Sequence, residues 1–236
     1  MKLNLDEENV RTTINKNTTT SYGLTLVIGL PFPAELSRRI QSIQRQLETV
    51  LPGRFTWYGP DHLHATLMAL LRGRYRKASP LQRAELPADL QGFINDLVDF
   101  LAQSPSFPLN LAGLQVTPEG FIIIRGDAPR PKLAAFDLQK YPELDPPKHS
   151  HAPHITIGYF NTSQLFVTDK ERSHVEETLD NLHDTCVGRI IVRQISLVHY
   201  SNRTLARIAG KVPLRLGQSN RLTAEDLLRQ LGIIVP

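Results

Sequence analysis

Apolar positions along the chain fall into two rhythms, one of period two and one near 3.6. Residues 1–20 follow neither. They are polar and rich in Thr and Asn, and are expected to form a flexible lead-in ahead of a single domain over 21–236. YGLTLVIGL predicts a strand at 23–30. PFPAELSRRIQSIQRQLETV predicts an amphipathic helix at 33–49, with Leu36, Ile40, Ile43 and Leu47 on one stripe. LPGR stops that helix, and strands at 54–57 and 62–70 follow. A basic loop, RGRYRKASPLQR, separates them from a helix at 87–101. Strands near 107–117 and 120–125 flank TPEG, a hairpin signal. A short helix is expected within APRPKLAAFDLQKYPEL, and the proline-rich DPPKHSHAP leads into another strand, HAPHITIGYF. A helix at 169–183, long strands at 189–200 and 204–214, and a closing helix at 223–230 complete the order. Strand-helix-strand-strand followed by a similar round predicts an α+β fold, with helices packed on antiparallel sheet.

Composition narrows the class. A chain of 236 residues fits one large domain or two modest lobes sharing a core, and seventeen prolines argue for short elements and many loops. The single cysteine, Cys186, excludes an internal disulfide and any multi-cysteine metal site within one chain. No apolar run approaches eighteen residues and the N-terminus lacks an apolar signal core, so a cytoplasmic protein with no membrane partner is expected. A net charge of +4 suits an anionic ligand without the basic stripe that long nucleic acid calls for. Nothing suggests an exposed apolar helix or edge, and a monomer is expected.

The candidate chemistry lies in a pattern the chain uses twice. His64-Ala65-Thr66-Leu67 is answered ninety residues later by His154-Ile155-Thr156-Ile157. Strand alternation puts His64 and Thr66 on one face and Leu63, Ala65 and Leu67 on the other, and likewise for the second copy. The apolar faces suit a core. The polar faces fit either a solvated sheet surface or a site. Two imidazoles titrating near pH 6.5 can flank one phosphate, one taking a proton and the other giving one. Two threonine hydroxyls beside them can donate to the non-bridging oxygens.

These two strands, with Pro153 directly before His154, resemble the motifs of the 2H phosphoesterase superfamily, which includes RNA 2',3'-cyclic phosphodiesterases historically called 2'-5' RNA ligases. The resemblance is strongest over 22–70 and 150–210. It implies two pseudo-symmetric lobes whose antiparallel sheets flank a central groove, with helices on the outer faces. His64, Thr66, His154 and Thr156 would be the catalytic residues, and no cofactor would be needed. The implied activity is metal-independent hydrolysis of 2',3'-cyclic phosphate ends of RNA, or of small cyclic nucleotides, to a phosphomonoester with the phosphate on the 2' oxygen. His64 would then protonate the departing oxygen and His154 would activate water. A module of the same fold that binds a nucleotide or RNA end without turnover is the alternative, and incidental strand histidines in a structural protein are a third reading.

Several neighbours are candidates for binding substrate. Arg72 and Arg74 in RGRYRK follow the first motif and could meet an RNA backbone, with Tyr75 stacking on a base. Tyr58 precedes that motif, and Arg125 ends the FIIIR strand within reach of a phosphate. Alternation puts Tyr159 away from the histidine face and Phe160 on it. His62 would share the face of His64, while His149 and His151 crowd the approach to the second motif. His-x-His can chelate zinc, but the acids nearby are only Asp61 and Asp145, and no metal is expected.

Overall fold

The computed structural model describes residues 3–71, 79–82, 85–128, 140–141, 144, 153–162, 168–219 and 222–233. Most of the segment expected to hold a short helix, and the loop carrying Arg72, Arg74 and Tyr75, lie outside the described residues, as do His149 and His151. In chain order the elements are α1 (Glu7–Thr18), β1 (Gly23–Gly29), α2 (Ala34–Val50), β2 (Phe55–Trp57), a 3-10 turn (Pro60–His62), β3 (His64–Ala69), α3 (Leu90–Gln103), β4 (Phe107–Val116), β5 (Phe121–Asp127), β6 (His154–Phe160), α4 (Asp169–Leu182), β7 (Cys186–Val192), β8 (Gln194–Tyr200), β9 (Ile208–Arg215) and α5 (Ala224–Gln230). Among the described residues no helix is long and apolar enough to cross a membrane.

The fold is α+β. Its strands form one sheet in the order β7-β4-β5-β6-β3-β1-β8-β9, with β2 attached to β6. Every pairing is antiparallel. Four strands lie on each side of the junction between β3 and β6, and that junction is narrow, recorded by one residue pair, Ala65 with Ile155. Leu24, Leu26, Ile28, Ala65, Ile122, Ile124, Ile155 and Leu197 point from the strands into one core. There they meet Leu36, Ile40 and Leu47 of α2, Phe93 and Leu97 of α3, and Val175 and Leu179 of α4. Burying side chains of this size contributes about 1.5–3 kcal/mol each, which fixes which face of each strand turns inward. The opposite face of the sheet carries the two motifs.

Two expectations are overturned. The polar lead-in is helical over α1: Asp6 caps it by accepting from Glu8 N and Asn9 N, and Val10 is fully buried beside Gly120. One apolar residue in the right place and a good N-cap outweigh the polar average. The long strand expected at 189–200 is two strands. Only Arg193 separates β7 from β8, yet β7 lies at one edge of the sheet and β8 next to the opposite edge strand. Alternation alone does not reveal this break, because apolar residues continue across it. The sheet must therefore curve strongly enough to bring its two ends together at Arg193.

The buried amide of Gln44 in α2 ties the helix layer to the motif strands. Its Nε2 donates to Tyr58 O and to Ile157 O, both at 2.9 Å. Gln44→Leu keeps the volume but leaves Tyr58 O without this donor, and is expected to destabilise the protein by about 1–3 kcal/mol. A denaturant midpoint unchanged by the substitution would remove Gln44 from this role.

Candidate active site

The site follows from the register of β3 on β6. Ala65 and Ile155 pair, both with zero exposure, and both point into the core. One step along each antiparallel strand then puts His64 opposite Thr156 and Thr66 opposite His154, all four on the other face. Cross-strand neighbours of this kind have Cβ atoms about 4.5–5.5 Å apart. Each imidazole thus faces the hydroxyl-bearing residue of the other motif. The two copies that are ninety residues apart in sequence meet as one four-residue patch.

Each strand breaks its alternation directly after the threonine. Val27 of β1 pairs with Thr66 and Leu26 with Met68, so Leu67 is skipped. Ile123 of β5 pairs with Thr156 and Ile122 with Gly158, so Ile157 is skipped. These are β-bulges at corresponding positions of the two motifs, and a bulge reverses the facing of every residue beyond it. Met68 rather than Leu67 therefore takes the fully inward position, at 7% exposure. The aromatic assignments also reverse: Tyr159 turns to the histidine face, opposite Phe121, and Phe160 enters the core against Phe55. The carbonyl freed at Ile157 accepts from Tyr58 N at 2.9 Å and from Gln44, so the irregular backbone is satisfied.

His64 is held by two direct contacts, one of them braced from behind. Its Nδ1 bonds His62 O at 2.7 Å, Tyr58 stacks on its ring at 6.3 Å and 25°, and Tyr159 braces Tyr58 edge-on. Only 7% of His64 is exposed. Burial, partly offset by the His62 carbonyl and reinforced by His154 and His62 nearby, lowers its pKa from 6.5 to about 4. At neutral pH the ring is uncharged. The carbonyl can only accept, so Nδ1 carries the proton and Nε2 keeps its lone pair. His62 lies in the 3-10 turn, not in β3, and holds His64 through its carbonyl, not by sharing the strand face as expected. His154 opens β6, half-buried, with Arg125 of β5 as its cross-strand neighbour.

The remaining candidates divide. Tyr58 is buried to 7% exposure, and burial raises its pKa, so it is a wall behind His64 and not an open stacking platform. Arg125 shares the face of His154, but its guanidinium extends outward over β4, away from the junction. It occupies the space over Gly113, where an added Cβ would come 2.5 Å from Nη2. Gly113 has φ of +76° in the bulged part of β4, a conformation that favours glycine. Among the described residues no group of three or more His, Cys, Asp or Glu side chains is placed to hold a metal ion.

Two features beside the motifs were not anticipated. On the β1 side the face is filled: Val27, Leu30, Val198, Tyr200 and Leu205 form a second buried cluster, with Val27 directly opposite Thr66. On the β5 side the face is open among the described residues, with a depression of about 530 Å³ running from His154 over Ile123 and Arg125 to Asn110, Ala112 and Gln115 of β4. A sequence shows neither, because both depend on which loop folds back over which strand.

No family model matches the sequence, and no curated protein matches it. Solved structures do. A conserved protein of unknown function from Agrobacterium tumefaciens is 14% identical, with a TM-score of 0.52 over 88% of this chain and 89% of that one. A Thermus thermophilus protein is 16% identical, with a TM-score of 0.49 over 82% and 98%. Kluyveromyces marxianus Usb1, in a structure with uridine monophosphate, is 13% identical, with a TM-score of 0.44 over 86% and 100%. The Agrobacterium likeness speaks to the fold: the whole α+β arrangement is shared at an identity too low to carry function.

The burial of His64 has a measurable cost. Below pH 6.5 the unfolded chain binds a proton at His64 that the folded chain refuses until about pH 4. Unfolding therefore gains ground as pH falls through that window, by about 3 kcal/mol at about 1.4 kcal/mol per pH unit. At pH 7 the penalty is absent. His64→Gln, which cannot take the proton, is expected to lose less stability than the parent between pH 7 and pH 4.5. Parallel denaturant curves at the two pH values check this, and equal losses in both proteins would contradict the neutral buried state.

Proposed function

We propose that the protein is a metal-independent phosphodiesterase of the 2H type. It would open 2',3'-cyclic phosphate ends of RNA or nucleotides to a phosphomonoester, leaving the phosphate on the 2' oxygen. The reading rests on the pairing of Ala65 with Ile155: continued by one residue each way, that register sets His64 against Thr156 and Thr66 against His154 on the face turned from the core. A binding surface has little use for two imidazoles placed on either side of one position. An in-line displacement at phosphorus needs both. The four strands on each side of the β3–β6 junction, each set contributing one motif from its innermost strand, support a reading as two related lobes about a central groove.

We assign the two histidines the opposite roles to those expected from the sequence, because Nδ1–H of His64 donates to His62 O and leaves Nε2 as the ring's acceptor. In this tautomer Nε2 is the ring atom that can take a proton, and because burial opposes a resting charge there, it would take one only as the reaction proceeds. In the proposed reaction water attacks phosphorus, its proton passes to His64 Nε2, and the bond from phosphorus to the 3' oxygen breaks. His154 supplies the proton that this oxygen takes up. The Thr66 and Thr156 hydroxyls donate to the non-bridging oxygens, where negative charge builds in the transition state. Tyr58 positions His64 by stacking on it.

An RNA oligonucleotide ending in 2',3'-cyclic phosphate, incubated in excess EDTA, tests the reading. One phosphate isomer is expected, with the rate lowered about 10²–10⁴-fold by His64→Ala or His154→Ala. Opening at the parent rate in either variant would refute the two-histidine mechanism, and no opening even with protein in excess would refute the activity.

A further inference from the structure

The two sides of the histidine pair are unequal, and the inequality gives the substrate a direction. Beyond Thr66 the face is occupied: Val27 and Val198 are fully buried under Leu30 and Leu205. A group attached to a phosphate held between His64 and His154 meets packed side chains on that side. Beyond His154 it meets the depression over β5 and β4.

We propose that this depression seats the nucleoside bearing the scissile phosphate and reads its base through Asn110 and Gln115. The proposal rests on the phosphodiesterase reading for what is bound at His154, but the pocket itself stands on separate observations. Neighbouring strands are about 4.8 Å apart, so β4 lies about 10 Å from the His154 strand. That distance spans a sugar and a base. Its volume of about 530 Å³ falls within the range of small-ligand sites, about 300–1,000 Å³.

The chemistry of the lining fits a flat polar ring. Ile123 and the methyl of Ala112 form an apolar floor, level with the sheet. Gln115 stands directly opposite Ile123, and Asn110 opposite Asp127. Asn110, Gln115 and Asp127 are exposed on this face, so the two amides present their donors and acceptors to an incoming base edge. The Asp127 carboxylate accepts from a sugar hydroxyl or an exocyclic amine and repels phosphate, which keeps the phosphate at the histidine end. Arg125 completes the layout. The cross-strand partner of His154, it lies with its guanidinium over Gly113 of β4 and lines the depression as a cationic rim. A solvated sheet face requires polar residues. It does not require an alanine between two exposed amides, next to a histidine.

The test separates the pocket from the chemistry by using two readouts. Binding of the four nucleoside 2'-monophosphates is measured by calorimetry on the parent protein and on Asn110→Ala and Gln115→Ala. Turnover is measured on four oligoribonucleotides that differ in the base at their 2',3'-cyclic phosphate end. Amide recognition of a base edge is expected to separate the best from the worst base by at least about fivefold in Kd and in kcat/KM. Each variant is expected to shrink that spread to within about twofold, with the product isomer unchanged. Equal binding of all four bases, or a spread untouched in both variants, overturns the proposal even if all four oligonucleotides are opened. A spread in Kd that the variants abolish, without turnover, sustains the pocket while refuting the phosphodiesterase.

Discussion

The pairing of Ala65 with Ile155 holds the rest of the arrangement in place. Both side chains are fully buried in the core, and a shift of one residue in either strand would expose one and drive an imidazole inward. Register at this point is therefore enforced by hydrophobic burial, not by the polar residues that benefit from it. The crossed placement of the two histidines and two threonines is its by-product. The bulges at Leu67 and Ile157 end the constraint one residue later, allowing each strand to turn its next aromatic or aliphatic side chain where packing needs it.

The same packing sets the electrostatics. His64 lies under Tyr58, which Tyr159 braces, on a carbonyl that accepts from Nδ1, and burial keeps it neutral. His154, at the first position of β6 and half-buried, borders the depression. Two copies of one short motif thus come to occupy unlike surroundings. The difference arises from the segments around them: a 3-10 turn and an aromatic residue ahead of His64, and Pro153 with an open sheet face at His154.

How much of this could be read from the chain depends on the range of the forces involved. Helices α2, α3, α4 and α5, and strands β1 to β6, follow from local periodicity, and most begin and end within three residues of the expected positions. The paired His-x-Thr strands were likewise evident, since period two and a repeated motif are local signals. What failed was set by tertiary contact. The helix α1 gains its place from Val10 against Gly120 and from Asp6 N bonding Pro118 O, far along the chain. The facing of Tyr159 and Phe160 turned on one bulge residue, and simple alternation has no means to include it. The sequence reading of Arg125 goes no further than a strand end within reach of a phosphate; its pairing with His154 across β5 and β6, and its guanidinium lying over Gly113, depend on tertiary contacts.

The single residue between β7 and β8 has a mechanical consequence. β7 belongs with β4, β5 and β6, whereas β8 belongs with β1 and β3, so the two sets of strands are joined at Arg193 as well as at the β3–β6 pairing. Consecutive Cα atoms are about 3.8 Å apart, so Val192 and Gln194 cannot separate by more than about 7 Å. Leu216 N–H donates to Arg193 O at 2.9 Å and pins the joint further. Two joints, one covalent and one hydrogen-bonded, thus restrain how far the two sets of strands can swing apart.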